Sequence, residues 1–280
     1  MTKRACVMGY QIPYSRSPMI HGHWLKELGI DGEYGLKDLS PEAFQDFVTH
    51  LGERGYVGGN VTVPHKEAAY KLATRHDAAA KAVGAVNVLW LEDGKLIGGN
   101  SDTHGFIANL DDQAPGWFAP GCRALVLGAG GGARSAVYAL RTRGVEVHIA
   151  NRTLARAQEL ATQFGPNVFA HENAAIPQLL AQADLLVNCT SQGMHGKPPL
   201  ELDITPLKKN AVVYDIVYVP LDTALLTNAR ARGHRTVDGL GMLLQQAGMG
   251  FNKWFGVTPK VTPALRAILE ADIRAKTPAK

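Results

Sequence analysis

The chain has 280 residues, 46% hydrophobic and 19% charged, with Lys plus Arg at 29 against Asp plus Glu at 25 and a formal charge of +4. That length is nearly twice a ~150-residue domain. The apolar share is that of ordinary globular chains, which excludes a disordered chain, a fibrous repeat and a disulfide-stapled miniature. No block of like charge marks a nucleic-acid or membrane surface, whereas a small positive surplus suits small anionic ligands. Cys6, Cys122 and Cys189 are an odd set without metal spacing, each in an apolar run, so reduced buried thiols in a cytoplasmic protein are expected. The start, Met1 to Gly9, has a basic pair but too short an apolar run for a signal peptide. No stretch of about 18 apolar residues is present to span a membrane.

Taken in chain order, Arg4–Met8 reads as a strand and Met19–Leu28 as a helix, after Pro18 and before Gly29. Glu33–Leu36 suits a strand. Ser40 is a good N-cap with Pro41 at the first helical position, opening a helix over Glu42–Glu53. Tyr56–Thr62 reads as a strand, Pro64 opens a helix through about Leu72, and Ala78–Val83 is a short helix. Val86–Leu91 and Leu96–Gly99 form a hairpin turned at Asp93-Gly94. Asp111–Gly121 is turn-rich and reads as a surface loop.

Beyond it the rhythm becomes strand, helix, strand. Strands are expected at Arg123–Leu127, Val145–Ala150, Asp184–Asn188 and Val212–Ile216, with helices at Ala133–Arg143 and Leu154–Phe164. That is the pattern of a doubly wound parallel sheet. The tail from Leu240 is mostly helical, with a last helix over Pro263–Ile273. Two α/β units joined near residues 100–110 is the economical organisation.

Gly128-Ala129-Gly130-Gly131-Gly132-Ala133 fits G-x-G-x-x-[G/A] between a predicted strand and a predicted helix. In that context glycines allow a tight turn and let helix N-terminal N–H groups approach a pyrophosphate. The next strand ends in Asn151-Arg152-Thr153, with Arg156 shortly after and no carboxylate at its tip. A carboxylate there would bind the ribose 2′-hydroxyl of NAD, whereas guanidinium groups suit a 2′-phosphate. The residues therefore point to NADP.

In the first half, Asn60-Val61-Thr62-Val63-Pro64-His65-Lys66 places polar side chains at a strand end and Lys66 in the first turn of a helix. A cation there opposes the macrodipole, so this lysine is either solvated and tolerated or kept for proton transfer; His65 reads as structural or surface. Asn100-Ser101-Asp102 follows a strand at the expected junction, and Asp102 is either an N-cap or a site residue. In Tyr14-Ser15-Arg16-Ser17-Pro18 two hydroxyls precede a helix, to cap it or to bind a ligand.

Together these passages resemble the shikimate dehydrogenase family nearly end to end. The resemblance adds His21, Gly84-Ala85-Val86-Asn87 and Asn188-Cys189-Thr190-Ser191. It continues through Tyr214-Asp215-Ile216-Val217-Tyr218-Val219-Pro220 and Asp238-Gly239-Leu240-Gly241-Met242-Leu243, with Gln246 beyond. It implies an α/β fold: a substrate domain over 1–103, completed by returning helices at 238–280, and a Rossmann-type NADP domain over 104–237. It implies NADP-dependent reduction of 3-dehydroshikimate to shikimate, with Lys66 and Asp102 as the catalytic pair. Ser15 and Ser17 would hold the substrate carboxylate. Asn60, Thr62, Asn87, Asp102 and Gln246 would hold its hydroxyl and carbonyl oxygens, with Tyr218 nearby. Gly128, Ala129, Gly130, Gly131, Gly132, Ala133, Asn151, Arg152, Thr153, Arg156, Thr190, Gly239 and Met242 would bind the cofactor. No metal, nucleic acid or membrane is implied, and the assembly would be a monomer or homodimer.

The sequence departs from the family pattern in places. Tyr14 stands for a usual His, Gly22 for Asn, Val88 for Thr, Ser101 for Thr, and Thr103-His104 for a glycine-containing turn. These departures keep open a related substrate such as quinate or an amino-shikimate. A non-enzymatic NADP- or shikimate-binding regulator would have little need for both Lys66 and Asp102. Family members that use quinate well tend to alter the second serine of Ser-x-Ser, and here Ser15 and Ser17 are both present.

Overall fold

A computed structural model describes residues 2–276. The chain divides into two compact units, one running through Ser101 together with Gln246–Leu269, the other covering Asp102–Gln245 together with the chain from Glu270. These boundaries differ from the 103/104 and 237/238 divisions expected from the sequence. Asp102 and Thr103 open a helix of the second unit, and the stretch from 238 to 245 belongs there as well.

The first unit runs β1 (Lys3–Gly9), α1 (Ser17–Glu27), β2 (Gly32–Asp38), α2 (Pro41–Thr49), β3 (Tyr56–Val61), α3 (Lys66–Leu72), β4 (Arg75–His76), α4 (Ala78–Val83), β5 (Val88–Glu92) and β6 (Lys95–Gly99). Its sheet has the order β2-β1-β3-β5-β6-β4. β1 pairs in parallel with β2 and β3, while β5 is antiparallel to β3 and β6. Local chemistry sets many of these ends. Ser40 Oγ accepts the Ala43 N–H at 3.4 Å, with Pro41 in the first turn of α2. Asp77 caps α4 through the Ala80 N–H at 2.6 Å, and Gly84 closes it in the left-handed conformation. Asp93 and Gly94 both take positive φ, which the tight hairpin requires.

Two expected helix bounds shift. α1 begins at Ser17, so Pro18 sits inside its first turn and Ser17 does not cap it. α2 ends at Thr49, four residues short of Glu53. Phe44, Phe47, Val48, Leu51, Cys6, Met8 and Leu89 form one core of the unit. Trp254 also packs here, donating from Nε1 to Leu89 O at 2.9 Å. Gly58 makes room for it, because a Cβ there would lie 2.3 Å from Trp254 Nε1.

The second unit begins with α5 (Asp102–Gln113), β7 (Arg123–Leu127), α6 (Gly131–Thr142), β8 (Glu146–Ala150), α7 (Leu154–Phe164) and β9 (Val168–His171). It continues with α8 (Ile176–Leu180), β10 (Leu185–Asn188), β11 (Val212–Asp215), α9 (Ala224–Ala231) and β12 (Arg235–Val237). α10 (Gly239–Phe255) and α11 (Pro263–Lys276) follow, each contributing residues to both units. All six strands are parallel, in the order β9-β8-β7-β10-β11-β12. Numbered by appearance this is the 3-2-1-4-5-6 order of a doubly wound nucleotide-binding sheet.

Apolar clusters cover both faces, one around Val126, Val147, Leu140 and Phe164, the other around Leu125, Leu186, Leu180 and Val213. The expected loop at Asp111–Gly121 begins later. Asp111, Asp112 and Gln113 are the last turn of α5, where the Asp111 carboxylate takes up Trp117 Nε1 at 2.8 Å and Arg143 Nη2 at 2.6 Å. Among the described residues no helix is long and apolar enough to cross a membrane.

Candidate active site

In the first unit Asn60, Thr62, Lys66 and Asn87 lie around the C-terminal end of β3 and the start of β5. Asn60, near the end of β3, donates from Nδ2 to Asn87 O at 3.3 Å, and the same carbonyl accepts the Val61 N–H at 2.9 Å. Thr62 follows, its N–H on Met8 O at 2.9 Å. Lys66 is the first residue of α3, and its carbonyl accepts the Val86 N–H at 3.0 Å, which ties it to the residue before Asn87. Asn60, Lys66 and Asn87 are thus stitched together by backbone and amide hydrogen bonds, though Asn87 lies far from the other two in sequence.

Asn87 is only 5% exposed, and its amide is locked by Ser101. Its Oδ1 accepts the Ser101 N–H at 2.7 Å, and its Nδ2 donates to Ser101 Oγ at 3.1 Å. The serine found in place of the family's threonine therefore keeps the hydroxyl that orients this amide. His65, read from sequence as structural or surface, is buried, stacked on Phe44 at 4.3 Å with Nε2 2.8 Å from Leu39 O. Tyr34 was not singled out by any motif. Its hydroxyl donates to Asn60 Oδ1 at 2.6 Å. Ser15, half-buried in the turn before α1, accepts the Ser17 N–H at 3.4 Å. Gln246 on α10 carries a buried Oε1 that has no hydrogen-bond partner among the described residues. Such an acceptor is costly to leave bare.

In the second unit Asp102 is the first helical residue of α5, inside a run of four buried polar residues, Asn100 to Thr103. The glycine turn joins β7 to α6. Gly130 occupies the N-cap position without a side-chain cap, leaving the first N–H groups of a 12-residue helix for another acceptor. A Cβ built on Gly130 or Gly131 meets nothing within 4 Å, so the space over this turn is open. Gly128 takes φ +99, close to Thr190 Cγ2, and a Cβ built on Gly132 would lie 2.6 Å from Ile216 Cδ1. These two serve the fold, the other two the open cradle.

At the end of β8, Asn151 Nδ2 donates to Thr153 O at 2.8 Å, and Thr153 precedes α7 without capping it. Arg152 and Arg156 are exposed, and neither pairs with a carboxylate among the described residues. An uncapped helix start behind a bare glycine turn, with two such guanidinium groups at the next strand tip, fits the pyrophosphate and 2′-phosphate of NADP.

A buried network steadies the loops after β10 and β11. Asn188 Oδ1 accepts Thr190 Oγ1–H at 2.7 Å, and Asn188 Nδ2 donates to Asp215 Oδ1 at 2.9 Å. Asp215 also accepts Thr223 Oγ1–H at 2.7 Å and the Val217 N–H at 3.1 Å, beside Tyr218. Burial pushes the Asp215 carboxyl up to about 6 despite these donors. Gly239 is required by close approach, since a Cβ there would lie 2.2 Å from Ile216 O. Met242 is 8% exposed and packs in the core of the unit.

A parallel sheet in this order, with an open glycine cradle at its first strand–helix turn, defines a dinucleotide-binding α/β protein that carries a second, mixed-sheet unit. Comparison with known proteins narrows the class. A profile described as the shikimate dehydrogenase substrate binding domain matches residues 7–89, and one described as shikimate / quinate 5-dehydrogenase matches 117–216. A shikimate dehydrogenase (NADP(+)) of Mesorhizobium japonicum is 57% identical over 276 residues, 98% of each chain.

Among solved structures, the shikimate 5-dehydrogenase of Thermus thermophilus in complex with NADP(H) and shikimate is 34% identical. It superposes with a TM-score of 0.86, covering 97% of this chain and 99% of that one. A quinate dehydrogenase of Corynebacterium glutamicum in complex with NAD is 29% identical with a TM-score of 0.89, covering 96% and 99%. The chain belongs to the shikimate dehydrogenase family.

Proposed function

We propose that this chain is an NADP-dependent oxidoreductase that interconverts 3-dehydroshikimate and shikimate, working in the reductive direction in aromatic amino-acid and chorismate biosynthesis in the cytoplasm. The observation that carries the reading is the stitched cluster of Lys66, Asn60 and Asn87. It ties Lys66, through its backbone carbonyl, to the residue before Asn87, and Asn60 to the Asn87 carbonyl, on a chain whose other unit offers an open glycine turn. The relatives named shikimate dehydrogenase (NADP(+)) support it.

NADPH, when bound, supplies the hydride that reduces the ring ketone, and NADP accepts it in reverse. Lys66 gives a proton to the ketone oxygen as negative charge builds there, and takes it back when the alcohol is oxidised. Asp102 is the carboxylate partner assigned to Lys66 and to the neighbouring hydroxyl. Ser15 and Ser17 donate to the substrate carboxylate, while Asn60, Thr62, Asn87 and Gln246 hold ring oxygens and Tyr218 lies nearby. Arg152 and Arg156 take the 2′-phosphate, with Asn151 and Thr153 beside them, and Thr190, Gly239 and Met242 complete the cofactor set.

The test is absorbance of reduced nicotinamide with shikimate and with quinate, each with NADP and with NAD. With both serines in place we expect shikimate to exceed quinate by at least about tenfold in kcat/KM, since an analogue that leaves buried polar groups unpaired loses about 1–3 kcal/mol per group. Comparable turnover of quinate would move the chain to the quinate-using branch of the family.

A further inference from the structure

Asn60 is one of the amides assigned to the substrate, and an amide can meet a ligand either as a donor or as an acceptor. One of the two acceptor positions of its carbonyl is taken, because Tyr34 Oη–H donates to Asn60 Oδ1 at 2.6 Å. The geometry behind this bond is specific. Tyr34 on β2 is in register with Ala5 of β1, and Ala5 with Gly58 of β3; Asn60 lies two residues further along β3, level with Val7. Residues two apart share a sheet face, so Tyr34 and Asn60 point the same way, with small Ala5 and Gly58 between them. The phenol crosses that gap to reach the amide.

The ring is held in that reach. His21 stacks on Tyr34 with centroids 4.0 Å apart and planes 22° apart, and Phe251 lies parallel beyond His21 at 5.9 Å. Trp254 closes the side at 5.7 Å from Tyr34. His21 is fully buried, and its nitrogens have no partner in ordinary hydrogen-bond geometry, Asn60 being the polar group it faces. Burial pushes its imidazole down to about 3, so it stacks as a neutral ring. Burial also holds the Tyr34 phenol well above its usual range, so the hydroxyl stays a donor. Asn60 Nδ2, with two hydrogens, gives one to Asn87 O at 3.3 Å and keeps one.

We propose that Tyr34 is a positioning residue for substrate binding: by donating to the Asn60 carbonyl it fixes which way the amide is turned, so that Asn60 offers the substrate its remaining N–H, to a ring oxygen that can accept. The inference rests on the assignment of Asn60 to the shikimate pocket. An analogue that bears an ammonium group where Asn60 donates would set N–H against N–H and be refused.

The experiment is shikimate binding by calorimetry and steady-state kinetics on Tyr34→Phe, Asn60→Ala and the double variant. Tyr34→Phe keeps the stacked ring and removes only the hydroxyl. Expected are a Kd and KM for shikimate about 3- to 10-fold higher, the scale of one neutral hydrogen bond. The kcat should stay within about twofold and cofactor Kd should be unchanged, while the melting temperature falls by only a few degrees, the scale of one lost buried hydrogen bond. In the Asn60→Ala background, Tyr34→Phe should add less than about twofold, because the two act as one unit. An unaltered Kd in Tyr34→Phe, or the same penalty with and without Asn60, would overturn the proposal while leaving the substrate assignment standing. Failure of the unmodified chain to bind shikimate at all would overturn both.

Discussion

Gly130→Ala separates the needs of the fold from the needs of the cofactor. Gly130 has φ −89 and ψ −169, a conformation alanine adopts freely, and a Cβ there meets nothing within 4 Å. The folded protein therefore loses only the modest N-cap preference for glycine over alanine, a few tenths to about 1 kcal/mol. That shifts the melting temperature by at most about 2–4 °C for a domain of this size. Cofactor binding loses more. The added methyl stands over the helix start, where a pyrophosphate oxygen must come within about 2.9 Å of a backbone N–H. Losing one charge-assisted hydrogen bond costs about 1.5–3 kcal/mol, which weakens NADPH binding by about 10- to 150-fold.

Titration of NADPH fluorescence gives the Kd, and thermal unfolding gives the stability. Gly132→Ala is the counterpart, because its Cβ would lie 2.6 Å from Ile216 Cδ1, so its stability should fall more than that of Gly130→Ala. Unchanged NADPH affinity in Gly130→Ala would refute the assignment of the open turn to the pyrophosphate. So would a loss of affinity no larger than its loss of folded protein.

Lys66→Ala should lower kcat by about 10²–10⁴, the usual scale for a general acid–base group, with cofactor Kd near normal; retention of most of the kcat would send the search for the proton donor to Tyr218. Arg152→Ala should weaken NADP by about tenfold or more while leaving NAD nearly untouched, since NAD lacks the 2′-phosphate; parallel losses for both cofactors would contradict it. Asp215, raised from 3.8 to about 6 by burial, binds its proton more tightly folded than unfolded, so stability falls as pH rises from about 4 through about 6. A rise from 3.8 to about 6 corresponds to about 3 kcal/mol. Asp215→Asn should show a shallower decline between those pH values in urea unfolding, even though it lowers stability overall by spoiling the bonds to Thr223 and Val217; an unaltered slope would remove Asp215 as its source.

Several features of this protein are written in short stretches of sequence because their causes are local. Ser40 followed by Pro41 opens a helix, Asp93-Gly94 supplies the two positive φ angles of a hairpin, and the apolar run Arg123–Leu127 before a glycine cluster makes a strand-to-helix turn. The doubly wound parallel sheet followed from the alternation of such elements, and the cofactor cradle from the glycines themselves. The short elements were not legible in this way. β4, β9 and β12 have two to four residues each, too few for a periodicity, and they exist because a neighbouring strand offers a free edge to pair with.

The extension of α5 to Gln113 overrode a turn-rich composition because Asp111 gains Trp117 and Arg143 as partners. The same holds at the candidate site. The motifs named Lys66, Asn60 and Asn87, but a motif carries no record of which way an amide points. Ser101 against Asn87 and Tyr34 against Asn60 settle that, over separations of 14 and 26 residues. A tyrosine in a strand is ordinary by sequence. It acquires a role only when pairing through β1 brings its hydroxyl to a particular amide, because hydrogen-bond direction is a property of positions in space and not of neighbours along the chain.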